Sequence, residues 1–226
     1  MGSVFGRESV AEPAFDVLLQ RTQVPTPYEI RRYGERFAAE ASYDGDNNSP
    51  FRLLAGYIGV FGNPQNEASA SMAMTAPVMM AKSGVSSSSS SGKGETIAMT
   101  APVMKSSSGK TMKFVLPAEY DEMSKIPKPT NPNVHIKNIP PQVGVVHRYS
   151  GSMDDARSEK IARELADQLR KDGLEMSDSE AVSVYQFFGY NPPFCLPPFR
   201  RNEVWIELTT EQAEKLVQEF NPTAVN

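Results

Sequence analysis

The sequence predicts one α+β domain built from two structurally equivalent halves, and three observations carry that prediction. Short runs alternate apolar and polar residues at the period of half-buried strands, and turn residues punctuate them. Longer stretches with apolar residues three and four apart follow these runs, as amphipathic helices require. The succession strand, turn, strand, turn, helix then occurs twice: Tyr28, Ile30, Phe37, Ala39 and Tyr43 are matched 106 residues later by Val134, Ile136, Val143, Val145 and Tyr149. Two units are too few for a solenoid, so the halves are expected to share one core. A chain of 226 residues with 39% hydrophobic and 22% charged content can bury such a core. The whole of 1–226 reads as one domain, with its body over about 4–208 and a terminal helix and tail over 209–226.

Phe15 to Arg21 and Tyr28 to Tyr33 read as strands on either side of Thr26-Pro27. In the third strand, up to Tyr43, Phe37, Ala39 and Ala41 share one face. After the turn-rich stretch 44–49, Ser49 stands as an N-cap and Pro50 as the first helical residue. Phe51, Leu54 and Ile58 then keep helical spacing up to a stop at Gly62-Asn63-Pro64. Lys113 to Pro117 is a strand with a proline stop, and the proline-rich 126–132 is an extended crossing. Val134 to Lys137 and Val143 to Tyr149 are strands around Pro140-Pro141.

The second helix takes Ser152 as N-cap, with Asp154 and Asp155 in its first turn, where the helix dipole favours anions. Ile161, Leu165 and Leu169 form its apolar stripe with Ala162 and Ala166 beside it, and Gly173 ends it. Val182 to Phe188 alternates as a strand, Tyr190 to Phe199 is a stiff apolar loop, and Val204 to Leu208 is the last strand. Thr209 and Gln212 have capping-box spacing before a terminal helix containing Leu216 and Val217.

The heptamer Ala73-Met74-Thr75-Ala76-Pro77-Val78-Met79 recurs letter for letter as Ala98-Met99-Thr100-Ala101-Pro102-Val103-Met104. Between the copies a serine run, Ser86 to Ser91, lies among glycines, and 83–94 reads as a disordered loop with nothing to bury. The copies are either two related strands, each with a proline at an edge or bulge, or the product of replication slippage.

Composition narrows the function. Cys195 is the one cysteine, which rules out an intramolecular disulfide and cysteine-rich structural zinc sites and fits a reducing compartment. A net charge of −4 opposes nonspecific attraction to nucleic acid. No stretch reaches the ~18 apolar residues that span a bilayer. The N-terminus lacks the apolar run of a signal peptide, and cytoplasmic residence is the expectation.

Little in the chain points to catalysis. His135 and His147 lie on separate strands at no metal-binding spacing, His135 towards solvent and His147 in phase with Val143 and Val145. Cys195, between Phe194 and Leu196, reads as a small apolar residue rather than a nucleophile. Met72, Met74, Met79, Met80, Met99, Met104 and Met112 crowd the repeats, as core filler, pocket lining or soft ligands. The Tyr190 to Phe199 loop, followed by Arg200 and Arg201, either receives a flat apolar ligand with carboxylates or merely closes one end of the fold.

Several of these motifs together resemble the SOUL family of haem-binding proteins, in its plant-type cytosolic form. The carriers are Gly62-Asn63-Pro64-Gln65-Asn66, both copies of Met-Thr-Ala-Pro-Val, Met112 to Pro117, Lys128-Pro129, Tyr149-Ser150-Gly151, Tyr190-Asn191-Pro192-Pro193 and Arg201-Asn202-Glu203-Val204. The resemblance implies a distorted antiparallel β-barrel of two pseudo-symmetric halves, each flanked by an α-helix. It implies reversible, non-covalent binding of haem or another tetrapyrrole in an apolar cleft, without catalysis or a fixed metal ligand. Carried over by position, the contacts fall at Phe51, Leu54, Ala55 and Ile58 on the first helix and at Phe194 and Leu196 in the loop; Arg200, Arg201 or Arg52, read from this chain's own charges, would add electrostatic help. The family's basic propionate contacts and axial histidine have no clear counterpart here. A protein-interaction module with incidental ligand binding is the main alternative, and an enzyme acting on a tetrapyrrole the lesser one.

Overall fold

The structure is a computed structural model that describes residues 11–45, 47–82, 109–152, 154–191 and 195–221. Nine strands form one sheet: β1 (Phe15–Arg21), β2 (Tyr28–Tyr33), β3 (Arg36–Tyr43), β4 (Val78–Lys82), β5 (Lys110–Val115), β6 (His135–Ile139), β7 (Gln142–Tyr149), β8 (Gln186–Gly189) and β9 (Asn202–Leu208). Four α-helices accompany them: α1 (Asn48–Ile58), α2 (Asp155–Lys171), α3 (Asp178–Val184) and α4 (Thr210–Phe220). The sheet order is β1-β2-β7-β9-β8-β4-β5-β3-β6, and every named pair is antiparallel.

The fold is thus α+β, but the sheet does not close into the expected barrel. β1 pairs only with β2 and β6 only with β3. Both edges carry features that discourage further pairing: a register shift between Val17 and Leu19 in β1, and exposed His135 and Lys137 in β6. β3 and β7 keep the 106-residue offset read from the sequence, residues 36–43 against 142–149.

Three segments need local correction. The N-cap of α1 is Asn47, not Ser49. Asn47 is already αR and makes no side-chain cap bond, so the turn runs straight into the helix, and Pro50 falls where its missing N–H still costs nothing. The helix stops at Gly59, whose φ of 87° lets its N–H reach the Ala55 and Gly56 carbonyls, earlier than the Gly62 stop. The α2 N-cap is Asp154, which accepts from the Arg157 N–H, while the Ser152 hydroxyl donates to the Asp154 carboxylate at 2.6 Å.

The third correction falls on Val182 to Phe188, which splits into the end of α3 and the strand β8. Ser177 and Glu180 form a reciprocal capping box, and this start signal outweighs the alternation of Val182 and Val184. The second copy of the heptamer and residues 83–94 lie outside the described residues. In the first copy only Val78 and Met79 belong to a strand, and Thr75 forms a parallel bridge with Ala11.

Strand alternation gives the sheet two unlike faces. Ile30, Val145, Phe187, Val204 and Ile206 pack against Ile161, Leu165 and Leu169 of α2 and Leu216 of α4. On the same face Ala39, Ala41, Met112 and Phe114 pack against Leu54, Ala55 and Ile58 of α1, and Met80 touches both clusters. Among the described residues no helix packs against the opposite face, where Tyr33, Val146, Phe188 and Trp205 cluster with Ala76 and Met79.

Candidate functional site

A groove of about 680 Å³ opens where the end of β7 meets the loop before β9. Arg148, Tyr149 and Ser150 form one wall, Pro198, Phe199, Arg200 and Arg201 the other, with Glu12 at the rim. The walls are tied together: the Gly151 N–H donates to the Pro197 carbonyl at 2.9 Å, and Asn202 Nδ2 donates to the Gly151 carbonyl at 3.1 Å. A 3₁₀ turn, Pro197–Phe199, leaves Phe199 49% exposed, and Leu196 just before it is 48% exposed. Such half-exposed apolar residues beside three guanidiniums can hold a planar apolar body that carries carboxylates.

The three arginines are held differently. Arg201 donates to Glu203 Oε1 at 2.9 and 3.0 Å and to Glu12 at 2.6 Å, and it lies 3.6 Å over the Tyr190 ring. Its guanidinium is thus held by contacts within the protein, although it also lines the groove. Arg200 is oriented by its Nε, which donates to the Cys195 carbonyl at 2.8 Å. Arg148 is exposed and makes no ion pair among the described residues.

Behind Arg201 lies a buried polar network on the helix-free face. Glu203, fully buried, accepts two bonds from Arg31 at 2.8 and 3.2 Å and one from the Tyr190 hydroxyl at 2.7 Å. Burial alone would lower the pKa values of Arg31 and Arg201, but the Glu203 carboxylate between them raises both. Burial pushes the Tyr190 phenol up, and the Glu203 charge pushes it further. Arg36, near Glu207 but without a carboxylate contact, is lowered by burial to about 10.

The structure separates the residues carried over from the family pattern. Leu54 and Ala55 are 0% exposed and Ile58 3%, all in the core under α1. Phe51 is half-buried, its ring edge-on to Phe114 at 5.4 Å. These four belong to or pack against one cluster and do not line the groove, and Arg52 is exposed beside them. In the loop, Leu196 flanks the groove's 3₁₀ turn, Arg200 lines the groove, and Phe194 lies outside the described residues. Arg148, Tyr149 and Ser150 were missed. Strand alternation places Arg148 opposite the inward-facing Val145 and His147, which was the available signal.

His147 is half-buried at the end of β7, where Nδ1 donates to the Pro27 carbonyl and the ring stacks on Tyr149 at 6.4 Å. It does not line the groove, and His135 is exposed on β6. Cys195 is 1% exposed, in keeping with its reading as a small apolar residue. The groove's described lining contains no histidine, cysteine or methionine.

The model of the family described as SOUL heme-binding protein matches residues 10–207. No curated protein matches the sequence. Among solved structures, the EcmrR C-terminal domain is 11% identical with a TM-score of 0.49, over 82% of this chain and 99% of that one. A hydrolase encoded by lin2189 from Listeria innocua is 10% identical with a TM-score of 0.48, over 80% and 91%. SAV2435 bound to tetraphenylphosphonium is 7% identical with a TM-score of 0.38, over 82% and 95%.

Proposed function

The chain belongs to the SOUL heme-binding protein family, and from that membership we propose that it reversibly binds haem and related tetrapyrroles, as a non-catalytic cytoplasmic carrier or buffer. The observation that carries this reading is the groove, in which Arg148 and Arg200 flank the exposed face of Phe199. The ring lies on Phe199 and Leu196, with Phe194 on the same loop, and its carboxylates meet Arg148 and Arg200. Leu54, Ala55 and Ile58 belong to the core in this assignment, and contact passes to the loop side. Burying a few hundred Å² of ring at ~25 cal/mol/Å², less the cost of association, gives micromolar to sub-micromolar affinity.

A titration of hemin, and in parallel of protoporphyrin IX, followed by absorbance and Trp205 quenching, tests this proposal. Saturable one-to-one binding of both is expected, weakened at least ten-fold by Phe199→Asp and several-fold by Arg148→Glu. Absence of saturable binding would overturn the carrier reading and favour a protein-interaction module.

A further inference from the structure

The groove already contains a carboxylate. Glu12 stands at its rim, and Glu12 Oε1 accepts from Arg201 Nη1 at 2.6 Å, with the two side chains 28% and 19% exposed. The other bonds of Arg201 run inward: Nε and Nη2 both donate to Glu203 Oε1, at 3.0 and 2.9 Å, and the guanidinium lies over the Tyr190 ring. Glu203 is itself fixed by Arg31 and by the Tyr190 hydroxyl. One guanidinium therefore meets two carboxylates of different kinds. The buried one sets where Arg201 sits, and the partly exposed one caps it at the groove.

Glu12 is brought to this place by backbone anchored on both sides. Ala11 bridges Thr75, and its carbonyl accepts from the Ala76 N–H at 3.0 Å. On the other side of Glu12, Phe15 packs on Tyr33 with ring centres 5.3 Å apart, and the Arg31 guanidinium lies 4.5 Å over its ring. Neither anchor uses the Glu12 side chain, so the path of residues 11–15 does not depend on its charge.

The described lining sets Arg148, Arg200 and Arg201 against Glu12 as its single acid. Arg201 is matched by Glu12 on one side and by Glu203 on the other, so attraction for an anion comes from Arg148 and Arg200. A carboxylate brought towards Arg201 meets the Glu12 charge. It must turn that side chain out into water or remain beside it, where like charges repel. An uncharged ligand meets no such penalty.

We propose that Glu12 is a specificity-determining residue of the groove, a resident carboxylate that withholds Arg201 from ligand acids and disfavours each further carboxylate a ligand carries. The class selected is a flat apolar ring whose carboxyl groups are few enough for Arg148 and Arg200 to meet. This inference rests on the reading of the groove as the ligand site.

Equilibrium titration of the full chain and of Glu12→Gln with three rings tests it: protoporphyrin IX dimethyl ester, with no free carboxyl group, protoporphyrin IX, with two, and coproporphyrin III, with four. The substitution keeps the side-chain volume and an acceptor for Arg201 while removing the charge. Relative to the parent chain, Glu12→Gln should bind the ester within about two-fold, protoporphyrin IX about three-fold more tightly and coproporphyrin III about ten-fold more tightly, the scale of one partly exposed charge. Glu12→Ala, which removes the acceptor as well, should give the same order. An equal change for all three rings, no change, or weaker binding of the two acids would overturn the role of Glu12 alone. Absence of saturable binding of every ring by the parent chain would instead overturn the groove as the ligand site, and this inference with it.

Discussion

The two faces of the sheet solve burial in opposite ways. Under α1, α2 and α4 the side chains are apolar almost without exception, and charge stands only at the rim, where Asp172 at the end of α2 receives Arg21 and the Tyr28 hydroxyl. On the helix-free face the centre itself is charged, with Glu203 buried between Arg31 and Arg201. The first face can lose atoms one at a time, because dispersion and transfer terms are local and add up in small steps. The second cannot, since each charge there was desolvated on the expectation of its partners. Arg201, held by this network, also lines the groove.

Removing the central carboxylate is the sharpest way to break this comparison. Glu203→Ala leaves Arg31 with Glu29 and Arg201 with Glu12 as their remaining, partly exposed counter-charges, for an expected loss of about 4 kcal/mol in urea unfolding. Leu165→Ala, fully buried under α2, should cost about 3 kcal/mol and leave the groove intact. The combined Arg31→Met, Glu203→Leu and Arg201→Met replacement should recover most of the Glu203→Ala loss, because no buried charge is then left unpaired and Glu29 and Glu12, which lose their arginines, are partly exposed to water. If the triple variant remains as unstable as the single one, packing rather than charge balance dominates that face.

The rim of the apolar face offers a smaller effect with a pH signature. Burial would raise the Asp172 pKa, but hydrogen bonds from Arg21 at 3.1 and 3.2 Å and from Tyr28 at 2.7 Å outweigh it and hold the carboxyl low. A carboxyl whose folded pKa is depressed contributes stability that is fully present above its unfolded value, near ~3.9, and is lost as pH falls through the folded one. Asp172→Asn should therefore cost about 2 kcal/mol at pH 7. Its gap from the parent should stay constant down to about pH 5 and close below about pH 4. A gap that persists at pH 2 would mean the amide disturbs packing instead.

How much of this was legible in the sequence depends on range. β1, β2 and the capping box of α4 stand where alternation and Thr209 with Gln212 placed them, because those signals are local. Barrel closure depends on whether β1 meets β6, which no local pattern states. Helical spacing identified the apolar side of α1 but not its cover; the family resemblance placed Leu54, Ala55 and Ile58 at a cleft, and in this chain they are buried under α1. The fate of Arg201 was half legible: two residues apart on one strand, Arg201 and Glu203 share a face, whereas Glu12 reaches it from the far end of the chain.

The smallest expected effect has the opposite sign and probes the helix-free face most delicately. Tyr33 is 3% exposed, and its hydroxyl has no hydrogen-bond partner among the described residues, nor does the Trp205 indole N–H beside it. The Tyr33 ring itself is well placed, with Phe15 at 5.3 Å, Trp205 at 5.4 Å and the Arg36 guanidinium 4.8 Å above it. Burial pushes its phenol pKa up against the opposing pull of the nearby Arg31, so the group is neutral. Tyr33→Phe keeps the ring and removes the unsatisfied oxygen, and stability should rise by about 1 kcal/mol. A fall in the thermal midpoint would show that the hydroxyl is bonded through an ordered water, and the helix-free face would then be as fully satisfied at Tyr33 as it is at Glu203.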